Sequence, residues 1–219
     1  MAIARAHPNI EIPNPNHPKL GDTIKVEPIR TVNAINKLKQ HLAPSPRNFA
    51  LFVVGINTAY RASELLSIRL GQIRHLQPGD RLEIKQQKTK RYRAVTINTA
   101  CHDAVQKLLE HLDRKALQAK DPSWVDDESY LFAGRRPNAA LTVPTLNNLV
   151  KDWCRKINLK SNYGSHTLRK TWGYMQRTKQ DTSIPLLMQA FGHASQQQTL
   201  AYLCIQDEEI ESIYTALEL

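Results

Sequence analysis

The stretch from Gly164 to Ile205, GSHTLRKTWGYMQRTKQDTSIPLLMQAFGHASQQQTLAYLCI, sets chemically able polar side chains inside apolar periodicity. His166 and Arg169 are three residues apart, which on a helical turn puts them on one side. Leu186, Leu187, Ala190 and Phe191 predict a short core helix that Gly192 ends, with His193 directly after the break. Ser195 followed by Gln198 is a capping-box pattern for a further helix, and that helix carries Tyr202. Two imidazoles, a guanidinium and a phenol at the starts or inner faces of successive short helices would make an anion site with a nucleophile. A plainer reading stands beside this one: a His-x-x-Arg pair on a solvated face, and Tyr202, among Leu200, Ala201 and Leu203, as a half-buried core ring.

The elements that must position these groups belong to a chain of 219 residues, room for one medium domain with a real core, with or without an extension. Formal net charge is +10 and the pI about 9.6, which favours polyanionic partners by long-range attraction. Cys101, Cys154 and Cys204 are isolated and lack C-x-x-C spacing, so neither a zinc site nor a disulfide framework is expected. They fit small buried residues in a reducing compartment. The N-terminal sequence lacks an apolar signal core and no apolar run nears bilayer length, so a soluble, intracellular protein is expected.

Residues 1–27 are interrupted by Pro8, Pro13, Pro15 and Pro18 and predict an extended or disordered arm. Thr31 to Leu42 predicts an amphipathic helix that Pro44 and Pro46 end. Phe49 to Ile56 predicts a core helix that breaks near Gly55 to Ala59, with Leu65, Leu66 and Ile68 in the next; between them stands N-T-A-Y-R-A-S-E-L-L, holding Arg61 and Glu64. Asp80 to Ile84 and Arg93 to Ile97 read as a hairpin around the polar turn Gln86 to Arg91. Its cations, Lys85, Lys88, Lys90, Arg91 and Arg93, equally suit a charged edge that resists strand pairing. Cys101 to Leu117 is a helix, Asp121 to Ser129 an acidic solvated loop, and Tyr130 to Phe132 a short strand. Gly134 to Asn138 is a basic turn with Arg135 and Arg136, and Leu141 to Ile157 a helix whose outer side carries Lys151, Arg155 and Lys156. In the tail, Ile210, Ile213, Tyr214 and Leu217 form an amphipathic pattern with acidic first turns. The expected fold class is mainly α with a small antiparallel β-sheet (α+β).

The ordered array H-x-L-R, an apolar segment, F-G-H and a tyrosine nine residues beyond that histidine resembles the catalytic domain of the tyrosine recombinases, the phage integrase family. The segment around Arg61 resembles that family's first arginine motif, with Ala59 where glycine is usual. If the backbone there needed positive φ, alanine would cost about 1 kcal/mol. The resemblance covers roughly Ile29 to Ile205 and implies Arg61, Lys88, His166, Arg169 and His193 as the activating set, Tyr202 as nucleophile and Glu64 as support. Lys90 and Lys85 rival Lys88, because a one-residue register shift changes which side chain points inward.

Contacts to DNA are expected from Lys85, Lys90, Arg91, Arg93, Arg135, Arg136, Lys151, Arg155 and Lys170, with no metal and no cofactor. The implied activity is site-specific recombination of double-stranded DNA through a covalent 3′-phosphotyrosine. A catalytically inactive DNA-binding regulator would share the scaffold, and a DNA-relaxing enzyme of the type IB topoisomerase kind would share the residues and their chemistry. Residues 28–205 are expected to be the catalytic domain and 206–219 an amphipathic helix, whose apolar stripe either folds back on its own core or, as the resemblance implies, passes to a neighbouring subunit of a tetramer on paired sites. The resemblance implies a cytoplasmic, nucleoid-associated protein. Family members typically carry an extra helical DNA-clamping domain ahead of the catalytic one, and the sequence departs from that pattern, since the roughly 28 residues before the domain are too few to form it; a natural short form and a fragment both fit.

Overall fold

The most apolar stretch of the chain becomes its central helix, α2 (Pro46–Asn57), which opens on a proline suited to a first turn and buries Ala50 through Gly55. The computed structural model describes residues 26–85, 92–205, 211 and 214–216. In it α2 lies between α5 (Thr99–Ala119) and α7 (Ser165–Lys179), and α1 (Val32–Leu42) and α6 (Val143–Lys156) complete the layer around it. Leu38, Leu51, Phe52, Leu108, Leu146 and Val150 are almost wholly withdrawn from water, each worth about 2 kcal/mol of apolar burial. Phe52 meets the Trp153 ring edge-on at 6.3 Å. The helix ends within the stretch from Gly55 to Ala59 where a break is expected, at the point where Thr58 turns to extended backbone and donates its hydroxyl to the Val54 carbonyl at 2.9 Å.

Two short helices, α3 (Ala62–Leu66) and α4 (Leu70–Ile73), lead from this core to the hairpin of β1 (Arg81–Lys85) and β2 (Tyr92–Thr96). The strands are antiparallel, with Leu82 opposite Val95 and Ile84 opposite Arg93. Burial alternates along β1, so Leu82 and Ile84 face the core. Tyr60 donates its phenolic proton to the Leu82 carbonyl at 2.7 Å, fastening the hairpin to the loop before α3. The turn with Lys88, Lys90 and Arg91 lies outside the described residues, as do residues 1–25 and most of the tail. Within the tail Glu211, Tyr214 and Thr215 are helical, and Tyr214 is 81% exposed.

Two local expectations are corrected. Tyr130 to Phe132 is not a strand: Tyr130 makes a single bridge to Arg69, and Ala133 one to Ala140. Asp121 to Ser129 is solvated only in part: Asp126, Asp127 and Glu128 are exposed as expected, while a 3-10 turn over Pro122–Val125 folds Trp124 against α5, where Lys115 Nζ stands 3.3 Å from its ring centre.

A second, smaller core gathers Ala59, Leu187, Phe191 and Leu203 where α7 meets α8 (Ile184–Phe191) and α9 (Gln196–Leu203). Leu186, expected in this core, is exposed. Gly192 ends α8 in the left-handed region at φ +63°. Gly173 lets α7 approach Phe191, since a Cβ there would fall 2.2 Å from Phe191 Cζ. Helices around one antiparallel hairpin are the α+β arrangement expected, and no described helix is long and apolar enough to cross a membrane.

Candidate active site

Arg61 stands immediately before α3 and Glu64 within its first turn, so the carboxylate folds back onto the arginine. Glu64 accepts the Arg61 backbone N–H at 2.7 Å and the Arg61 Nη1 proton at 2.8 Å. The carboxylate is buried while the guanidinium keeps 40% exposure, which leaves part of its fork free for an incoming anion. Arg93 approaches the same carboxylate at 3.7 Å from the other side and donates to the carbonyls of Ala190 and Phe191.

The first turn of α7 presents His166 and Arg169 and is held from below. Ser165 N–H donates to Asn147 of α6 at 3.1 Å, and the Thr167 hydroxyl donates to the Glu27 carbonyl at 2.9 Å. Arg169 is 3% exposed and donates to the carbonyls of Ala59 and Phe191. Arg61 and Arg93 thus share one carboxylate, Arg169 lies within electrostatic reach of all three, and the surplus positive charge favours an anion. Burial first, and then the neighbouring Arg93, bring the Arg169 pKa down to about 10.

Phe191 is the floor on which the remaining groups are laid. His193 stacks on it at 4.9 Å and 18°, and Tyr202 meets it edge-on at 5.1 Å. The Arg169 guanidinium carbon is 4.9 Å from its ring centre. His166 Nδ1 lies 3.2 Å from Tyr202 Oη. Loss of hydration, followed by the charges of Arg169, Lys170 and Arg61, holds His166 below the ordinary imidazole value, so near neutral pH its ring can accept the phenol proton. His193 is pushed down to about 4, by burial first and then by Arg169, Arg61 and Arg93. The Tyr202 phenol is raised by burial, against the opposing pull of Arg169 and Arg61.

Sequence reasoning missed Phe191 as a platform and missed Thr199 altogether. Thr199 is fully buried, and its one hydroxyl proton serves His193 Nδ1 at 3.1 Å or the Ser195 carbonyl at 3.2 Å. When it donates to Nδ1, the neutral ring keeps its own proton on Nε2. The signal lay in the four-residue step from Ser195 to Thr199, which returns the hydroxyl to the start of α9 beside His193.

The structure therefore brings Arg61, Glu64, His166, Arg169, His193 and Tyr202 together, while Lys88 lies outside the described residues. Lys85, Arg135, Arg136 and Arg155 are exposed, Arg155 being paired with Asp152 at 2.6 Å, and Lys151 is half-buried. Arg93 and Lys170, expected as surface cations for DNA, are interior. Arg93 is directly opposite Ile84, hence on the inward face of the hairpin, with 9% of its side chain exposed. Lys170 is 7% exposed between α7 and the end of α9, with Nζ 3.0 Å from Cys204 Sγ. Ala59 has no positive φ, so the alanine in place of glycine carries no strain of that kind. Among the described residues no group of three His, Cys, Asp or Glu side chains converges to hold a metal ion.

The chain is 30% identical over 193 residues to the probable integrase/recombinase YoeC of Bacillus subtilis, covering 86% of this chain and 95% of that one. It is 26% identical over 165 residues to the tyrosine recombinase XerC of Caldanaerobacter subterraneus, covering 75% of this chain and 43% of that one. Among solved structures, XerA recombinase superposes with a TM-score of 0.68 at 20% identity, over 88% of this chain and 66% of that one. XerH bound to its palindromic difH substrate, in a post-cleavage complex, gives a TM-score of 0.67 at 20% identity, over 89% of this chain and 53% of that one. These structures show the fold, and this chain spans less than two thirds of each. Residues 30–209 match the Phage integrase family, most of the sequence, and on that match the chain belongs to the phage integrase (tyrosine recombinase) family.

Proposed function

We propose that this chain is a site-specific recombinase that cleaves and rejoins double-stranded DNA through a covalent 3′-phosphotyrosine on Tyr202. The observation that carries the reading is the phenol 3.2 Å from His166 Nδ1, beside Arg169 and on the same aromatic floor as His193. Tyr202 Oη attacks the phosphorus, an O–P bond forms, and the bond from phosphorus to the 5′ oxygen breaks. His166, neutral near pH 7, takes the phenol proton. Arg61 and Arg169 hold the non-bridging oxygens as charge gathers on them, and His193 donates from Nε2 to the same phosphate. Lys88 supplies the proton to the departing 5′ oxygen. Glu64 and Arg93 hold the arginines in place without touching DNA.

The phosphotyrosyl bond conserves what hydrolysis would discard, so a 5′ hydroxyl from another strand can attack it and join new partners without ATP. The net charge of +10 attracts the duplex, with Lys85, Lys90, Arg91, Arg135, Arg136, Lys151 and Arg155 as its phosphate contacts. Four subunits assemble on two sites, linked through residues 206–219, and the enzyme acts on chromosomal or mobile-element DNA in the cytoplasm.

The test uses the duplex that the protein selects by affinity from a randomised pool. A nicked suicide version should give a denaturation-resistant protein–DNA adduct, and two intact copies on a plasmid should recombine. Binding without an adduct would make the chain a regulator. Relaxation of any supercoiled plasmid without recombinants would make it a relaxing enzyme.

A further inference from the structure

Cys204 follows the last residue of α9 and is held at both ends. Its backbone is left-handed, φ 55° and ψ 45°, where glycine or asparagine is the usual occupant. Its carbonyl accepts a proton from Arg30 Nη2 at 2.6 Å, and its thiol sits 3.0 Å from Lys170 Nζ. Both side chains are buried, at 2% exposure for Cys204 and 7% for Lys170. The ammonium also stands 4.9 Å from the centre of the Tyr202 ring. No carboxylate lies within ion-pair distance of Lys170 among the described residues.

Burying an ammonium without a carboxylate is costly, and a side chain at this backbone position brings strain that glycine would avoid. Neither feature serves stability alone. Together they make a buried N–H···S contact between α7, which carries His166 and Arg169, and the end of α9, which carries Tyr202 two residues earlier.

We propose that Lys170 and Cys204 are positioning residues for the nucleophile: their contact fixes the end of α9 so that the phenol faces the phosphate held by Arg61 and Arg169. This rests on Tyr202 being the nucleophile. Neither residue touches the reacting atoms, and their effect falls on the rate at saturating DNA, not on DNA affinity.

Single-turnover adduct formation on the nicked suicide duplex tests the proposal with the full chain. K170M and C204A should each slow the reaction at saturating DNA by about 10- to 100-fold, the range that a small misplacement of a reacting group produces. Gel-shift affinity should stay unchanged. C204S, whose hydroxyl accepts the same N–H, should keep most of the rate. C204G relieves the backbone yet should still be slow, which separates the thiol from strain and leaves Lys170 in place should K170M fold poorly. The K170M/C204A double variant should be no slower than the slower single one, because the two act as a unit. Wild-type rate in C204G, or losses that multiply in the double variant, would overturn the proposal. An adduct that persists in Y202F would instead overturn the assignment of the nucleophile.

Discussion

Replacing Glu64 by glutamine keeps the side chain's shape and removes the charge that two arginines share. The carboxylate is 5% exposed, and its partners differ in what they lose. Arg61, with 40% of its side chain in solvent, recovers water and contributes little to the balance. Arg93, with 9%, keeps its carbonyl partners but loses its only carboxylate among the described residues, leaving a buried guanidinium uncompensated. Breaking a buried pair from one side costs about 3 kcal/mol, and in a chain of this size each kcal/mol moves Tm by about 3 °C. E64Q should therefore melt about 9 °C lower, by calorimetry or circular dichroism, with a matching fall in the urea midpoint. Adding R93M should return part of the loss, because an apolar side chain of similar length removes the stranded charge. A loss below about 1 kcal/mol in E64Q, or a further loss on adding R93M, would refute the view that this pair is a structural brace.

The two clamp arginines should separate by their burial: R61A should cut adduct formation at least about a hundredfold with little change in Tm, whereas R169A should lose activity and also melt lower. Urea titrations at graded pH should show stability falling from neutrality towards pH 4, because His193 stays neutral down to about 4 in the fold while the unfolded chain binds its proton near the ordinary value. The folded state thus binds fewer protons across that window, and H193Q should flatten the slope. K88A should cleave an ordinary phosphodiester poorly and a 5′-phosphorothiolate nearly normally, since sulfur leaves without a proton; rescue of K90A or K85A, and not of K88A, would move the general acid along the hairpin.

Local chemistry writes much of this site into the sequence. His166 and Arg169 share a helical turn, Gly192 breaks the chain just before His193, and Ser195 caps the helix that carries Tyr202. What could not be read depends on partners distant in sequence. Arg93 is a cation among cations until pairing sets it opposite Ile84, and only that register turns it inward. Phe191 reads correctly as a core residue, yet nothing local says that His193, Tyr202 and Arg169 will lie against its ring. Lys170 and Cys204 are 34 residues apart with no periodic relation. In the loop after α5 the acidic residues Asp126, Asp127 and Glu128 are solvated as their charge suggests, but the inward packing of Trp124 depends on α5 and could not be read locally.

Attack of Tyr202 on DNA can be identified chemically. Protein trapped on the nicked suicide duplex should be digested and the DNA-bearing peptide sequenced by mass spectrometry, with the polarity of the broken strand read from the same sample. One adduct is expected, on Tyr202, joined to a 3′ phosphate and leaving a free 5′ hydroxyl. An adduct on Tyr174 or Tyr214, or one joined through a 5′ phosphate, would contradict it.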